Sequence, residues 1–341
     1  MPGIYHKQFS YIVPTGIGKV TGLCFGLPPH RIGDRTSSYT KRLDYGRSVV
    51  CSPKPRNAGN SKRHGGRVFL GTNKSQRNYN TGVHLCDRSI SSEMKYLVIG
   101  PGGMGIFGYL GYLKKIETKL DKVEGYSGAS AGSILVICLA FGKTIDEILN
   151  FLLELDPNRL SKINLKRFMN SYGFISTDLF KEKLIEFIGG DYKFKDVEKD
   201  LYISSFCVNR GNTEYFSKYN YPDMSILDAM CMSVSIPFLF ETIKFNEMNY
   251  IDGGTMETLP LLPFIDKEDT FCLKINDNRV PQLEINSVRD YASILFRSLM
   301  KNRQSYHVKE LVSIDLSEYN IFDLRMKYDD KLKMFFNIYS T

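Results

Sequence analysis

Two short stretches of this chain hold residues whose types and settings could do covalent chemistry. Ser130 stands in Gly125-Tyr126-Ser127-Gly128-Ala129-Ser130-Ala131-Gly132, which contains a Gly-x-Ser-x-Gly. The run before it reads as a strand and the run from Ser133 to Phe141 as a helix, so Ser130 is expected at a sharp strand-to-helix turn. At such a turn a Cβ at Gly128 or Gly132 would collide with tightly folded backbone, and the serine oxygen is pushed outward as a nucleophile. The same residues also describe a small-residue helix start packed closely on a sheet. The second stretch is Tyr250-Ile251-Asp252-Gly253-Gly254. An acid at the end of a strand, on a turn opened by two glycines, can be approached closely by another loop. It can equally be a plain hairpin turn.

A serine nucleophile needs a base, and the histidines are poorly placed for it. His6, His30, His64 and His84 lie near the front of the chain, and His307 falls in the polar helical stretch from Lys301, where it reads as a surface residue. Asp252 is therefore the candidate base.

A third stretch is rich in glycine. Met94 to Ile99 is a short apolar run of strand type, Gly100-Pro101-Gly102-Gly103-Met104-Gly105 follows, and then Ile106, Tyr109, Leu110 and Leu113 recur at helical spacing. Gly100, Gly102 and Gly105 satisfy a dinucleotide-binding G-x-G-x-x-G, with Asp121 or Glu124 near the distance of a ribose-binding acid. That reading leaves the serine turn unexplained. The competing reading is an oxyanion hole, in which Gly102 and Gly103 bring unobstructed backbone N–H groups to a reacting carbonyl oxygen; Pro101 has none to give.

The elements that must position these residues occupy the later part of the chain. Of 341 residues, those from Met1 to Ser92 carry 15 Lys and Arg against three Asp, whereas the remainder carries 30 against 34. The front is rich in Gly, Ser, Asn, Arg and Pro and has little periodicity. Residues 1–92 are accordingly expected to be a basic, largely disordered extension. Attraction to an anionic membrane surface is one use for it, and no fold motif for a nucleic-acid partner is present. Residues 93–341 are expected to be the catalytic domain, with helices over Ile145 to Leu155, Asp178 to Ile188 and Ser225 to Val234, and strands over Leu201 to Val208 and Thr213 to Phe216. Asp329 to Phe336 reads as an amphipathic helix packed on that domain or facing a membrane. Neither a signal peptide nor a membrane-spanning run is present, so an intracellular protein, cytoplasmic or peripheral to a membrane, is expected. Seven scattered cysteines indicate neither a disulfide scaffold nor a zinc site, and no metal is expected.

In this order, the glycine-rich loop, the Gly-x-Ser-x-Gly elbow and the Asp-Gly-Gly resemble the patatin-like phospholipase family. Between them Glu214-Tyr215-Phe216-Ser217, Leu227-Asp228-Ala229-Met230 and Ser233-x-Ser235-Ile236-Pro237-x-x-Phe240 are also similar to the family, over roughly Lys95 to Phe264. The resemblance implies an α/β fold, a three-layer α/β/α sandwich with a mostly parallel central sheet. It implies hydrolysis of acyl esters of lipids by a Ser-Asp dyad, of phospholipase A type, without metal or cofactor. Carried over, Ser130 is the nucleophile, Asp252 the base, the backbone of Gly102, Gly103 and Met104 the oxyanion hole, and Gly128 and Gly132 the flanks of the elbow. The chain departs from the family pattern in having Met104 and Gly105 where an Arg or Lys is usual, and Thr258 where an Asn is frequent. An acyltransferase using the same dyad, a lipid-binding or scaffold protein, and a dinucleotide-binding oxidoreductase are the alternatives. Ile236, Phe238, Leu239 and Phe240 are candidate lining residues for an apolar entry or members of the core, Phe240 more so.

Overall fold

The computed structural model describes residues 93–155, 165–276 and 310–341, with 84–85 and isolated positions between 285 and 308. The expectations for the rest of residues 1–92 and for His307 lie outside the described residues. The first half of the chain gives β1 (His84–Leu85), β2 (Tyr96–Ile99), α1 (Ile106–Lys115), α2 (Glu117–Leu120), β3 (Gly125–Ala129), α3 (Ala131–Ala140) and α4 (Ile145–Glu154). Then come α5 (Leu165–Ser171), β4 (Gly173–Ile175), α6 (Asp178–Ile188), β5 (Asp200–Cys207), β6 (Asn212–Phe216), α7 (Ile226–Val234) and β7 (Phe238–Phe240). The last are β8 (Ile243–Phe245), β9 (Met248–Asp252), β10 (Thr270–Asn276), β11 (Glu310–Asp315) and α8 (Tyr328–Ser340).

The main sheet runs β1-β11-β10-β2-β3-β5-β9-β8, with β6 on the free edge of β5. From β11 to β5 the neighbours are parallel, and β1, β6, β8 and β9 pair antiparallel. This is the mixed α/β architecture expected, with a mostly parallel central sheet. Alternate residues along a strand point to opposite faces. Leu97 and Ile99 of β2, with Phe271 and Leu273 of β10, therefore enter the main core, which the helices cover. Val98 and Cys272 enter a smaller core on the other face, closed by Leu259, Leu261 and Phe264.

Local sequence explains the elements nearest the site. The helix α3 reads Ala-Gly-Ser-Ile-Leu-Val-Ile-Cys-Leu-Ala and is buried on all sides but its end, as an apolar helix without a polar face must be. Its neighbour α4 starts at Thr144, whose hydroxyl accepts from the Glu147 N–H at 3.2 Å while the Glu147 carboxylate accepts from the Thr144 N–H at 2.8 Å. That reciprocal pair satisfies amides a helix start leaves open. The helix α8 buries Lys331, Met334, Phe335 and Ile338 against α1. Among the described residues no helix is long and apolar enough to cross a membrane.

Candidate active site

Strand register brings Ser130 and Asp252 together. On one edge of β5, β3 runs parallel and ends with Ala129 opposite Ser204. On the same edge, one position further, β9 runs antiparallel and ends with Asp252 opposite Ser205, while β6 occupies the other edge. Two strands thus meet end to end along a third. The residue that follows β3 and the residue that closes β9 are forced to the same place.

The last turn of α7 holds both. The Ser130 N–H donates to Ser233 Oγ at 2.9 Å, and the Asp252 N–H donates to the Ser235 carbonyl at 2.9 Å. The sequence expectations give Ser233 and Ser235 no role; two small hydroxyl residues closely spaced before a proline were the available signal. The Asp-Gly-Gly turn reaches the glycine loop because Gly254 lacks a side chain: a Cβ there would lie 2.5 Å from Pro101 Cβ. Gly128 is buried in β3 against α3, and Gly132 opens α3 directly under the end of β2.

Ser130 has φ 52° and ψ −124°, a conformation nearly reserved for glycine that costs an L-residue about 1–3 kcal/mol. The strain lifts the hydroxyl out of the sheet at the head of α3. Ser130→Gly is therefore expected to be more stable than Ser130→Ala by about 1 kcal/mol, as read by urea unfolding. Equal midpoints for the two variants would show that the turn stores no strain.

Asp252 is 0 % exposed. Its Oδ1 accepts from the Gly254 N–H at 2.7 Å. Among the described residues the buried side-chain oxygens without a hydrogen-bond partner are Asp252 Oδ2 and Thr255 Oγ1, both in this turn. Unsatisfied polar atoms are rare in folded interiors and collect at functional sites. Burial pushes the Asp252 carboxyl from the ordinary 3.8 up to about 7, opposed first by the Ser130 hydroxyl and then by the Gly254 amide. Ser130 is thus the side chain that acts on this carboxyl, from just outside strict hydrogen-bond geometry.

The glycine loop forms a 3₁₀ turn, Gly103–Gly105. Of the three amides expected to form an oxyanion hole, that of Met104 is not free, because it donates to the Ile321 carbonyl at 2.7 Å. The residue still serves the site through its side chain, which lines the cavity at Ser130. The amides of Gly102 and Gly103 have no partner among the described residues, and neither does that of Ala131. Gly103 and Ala131 both line the cavity. The Ala131 amide is not among the sequence expectations, although the residue after an elbow serine is a regular oxyanion donor. The dinucleotide reading does not fit the topology: the glycine turn follows the end of β2, whereas exposed Asp121 and Glu124 precede the start of its parallel neighbour β3, at the opposite end of the strands.

The cavity over Ser130 measures about 150 Å³ and is almost wholly apolar, with Phe107, Ile134, Leu152, Phe180 and Val234 in its walls. Ile236 and Phe240 also line it, and Phe240 packs against the main core as well. Phe238 is exposed and Leu239 only partly buried. Among the described residues no group of three or more His, Cys, Asp or Glu side chains could hold a metal ion.

The α/β sheet thus presents an elbow serine beside a buried carboxyl, next to backbone amides without partners among the described residues and an apolar cavity. The patatin-like phospholipase family model matches residues 97–265. An uncharacterized protein of Acanthamoeba polyphaga mimivirus is 32% identical over 234 residues, spanning 63% of this chain and 78% of that protein. A protein of Invertebrate iridescent virus 6 described as a "probable lipid hydrolase" is 32% identical over 201 residues, spanning 52% and 69%. Among solved structures, VipD from Legionella pneumophila aligns with a TM-score of 0.42 at 16% identity, over 71% of this chain and 67% of that one. The chain belongs to the patatin-like phospholipase family.

Proposed function

We propose that this protein is a lipid acyl hydrolase that cleaves fatty-acid esters through a Ser130-Asp252 dyad. The observation that carries this reading is the end-to-end meeting of β3 and β9 on β5, which seats Ser130 beside a buried, unneutralised carboxyl. Asp252 accepts the Ser130 proton as the oxygen attacks the ester carbonyl. The resulting oxyanion is held by backbone amides of Gly102, Gly103 and Ala131, and the alcohol leaves with the proton from Asp252. Water then gives its proton to the same carboxylate and attacks the acyl-enzyme, and as the acyl–oxygen bond breaks Asp252 returns that proton to Ser130 Oγ and the fatty acid is released. The apolar walls suit an acyl chain, and the relative described as a lipid hydrolase supports a lipid substrate.

The test is fatty-acid release from phospholipid and from a p-nitrophenyl ester, with a fluorophosphonate probe in parallel. Wild type is expected to turn over and to be labelled at Ser130. Ser130→Ala is expected to stay folded, escape labelling and lose at least about 1,000-fold in rate. Turnover at the wild-type rate in Ser130→Ala would remove the assignment.

A further inference from the structure

A single lysine interrupts the apolar wall of the cavity. Lys331 of α8 lines it together with Phe107 and Met104, yet its side chain is only 3 % exposed. It lies on the stripe Lys331, Met334, Phe335, Ile338 that forms the buried face of the helix, and this spacing presents one side of a helix to the core. Buried lysines ordinarily extend their ammonium to water or pair it with a carboxylate. Here burial alone acts on the group, lowering its pKa, with no acidic side chain contributing. The ammonium lies 5.4 Å from the centre of the Phe107 ring. That contact holds the charge in place without consuming its N–H donors. An aliphatic residue would complete the stripe at lower cost. The glycine loop brings no cation of its own, since it reads Gly102-Gly103-Met104-Gly105.

We propose that Lys331 is the anion-recognising residue of the cavity, its ammonium pairing with an oxyanion of the bound lipid: the headgroup phosphate of the substrate or the carboxylate of the released fatty acid. This rests on the lipid-hydrolase reading of the same cavity. In apolar surroundings an ammonium-to-oxyanion hydrogen bond is strong, and an unpaired anion there is disfavoured. Lys331 is thus a specificity-determining residue contributed by α8, an element remote in sequence from both halves of the dyad.

The test uses the full chain as wild type, Lys331→Met and Lys331→Arg. Each is assayed on a glycerophospholipid and on a neutral p-nitrophenyl ester with the same acyl chain, and the latter assay is repeated with the free fatty acid as inhibitor. In Lys331→Met the ratio of kcat/KM for phospholipid to that for the neutral ester is expected to fall about 10- to 100-fold, with Lys331→Arg restoring most of it. That outcome assigns the headgroup phosphate. A fatty-acid inhibition constant weakened by a similar factor, with the ratio unmoved, assigns the carboxylate instead. Ratio and inhibition both unmoved would overturn the proposal. Should Lys331→Met fold poorly, wild type alone suffices: an alkyl phosphate or alkyl carboxylate must inhibit more tightly than the alkanol of equal length, and an alkanol that matches both overturns it. Ser130→Ala keeps the two readings apart, because Ser130-dependent turnover with no response to charge removes only the role of Lys331.

Discussion

Asp252→Asn is expected to abolish ester hydrolysis and, at pH 8, to leave the protein more stable than wild type. The amide oxygen of the variant still accepts from the Gly254 N–H, so the turn is kept, but the group can no longer take a proton from Ser130. A loss of at least about 1,000-fold is expected, as for other members of a catalytic unit. The gain in stability follows from linkage. The Asp252 carboxyl has its folded value raised to about 7 from an ordinary 3.8. Between those values the folded chain binds a proton that the unfolded chain has released. The corresponding stability is fully present below about pH 4 and is lost as pH rises through about 7. The Asn variant carries no such term, so its advantage over wild type is expected to grow from pH 4 to pH 8 by an amount on the order of 2–4 kcal/mol. For the same reason wild-type kcat/KM is expected to fall as pH drops through about 7, where the base becomes protonated. Ester turnover of both proteins, urea unfolding of both at pH 4 and pH 8, and a pH–rate profile of wild type check all three. A stability difference independent of pH would mean that Asp252 is not a desolvated carboxyl.

Gly132→Ala is expected to cost roughly 3 kcal/mol or more and to remove most activity, although the substitution adds one methyl group. A Cβ at this position would lie 2.2 Å from the Ile99 carbonyl oxygen and 2.6 Å from that of Gly100. These are backbone atoms at the end of β2, which cannot rotate aside as a side chain would. To admit the methyl group, α3 must withdraw from the sheet, carrying Ser130 away from Asp252 and from the glycine loop. Thermal unfolding and p-nitrophenyl ester turnover read both effects. A variant with wild-type melting and wild-type rate would show that the helix does not approach β2 so closely.

The two members of the proposed dyad were legible as candidates in the sequence because both stand in short motifs whose glycines have a steric reason. The elements β2, β3, α3, α6 and α7 were legible for a similar reason: apolar spacing and turn residues act within a few positions. What was not legible depends on contacts between distant parts of the chain. Nothing local announces that β9 pairs antiparallel with β5 at the position where β3 stops, and this pairing places Asp252. Three-residue strands such as β4 and β7, which pair with each other, are too short to show a period. The Met104 amide was counted as an oxyanion donor because its acceptor, Ile321, lies more than 200 positions away. Lys331 was hidden by its type. Its place three, four and seven positions before Met334, Phe335 and Ile338 marks it as inward-facing, but a lysine invites assignment to the polar side.

The anchoring of the glycine loop on Ile321, and of one cavity wall on α8, has a consequence for biosynthesis. As the chain emerges from the ribosome, the elbow and its acid partner are complete long before residues 321–338 exist. Until that segment docks, Met104 lacks its acceptor and the cavity over Ser130 lies open on one side. The cavity over Ser130 is therefore completed only after the chain has been translated through the segment that ends in α8.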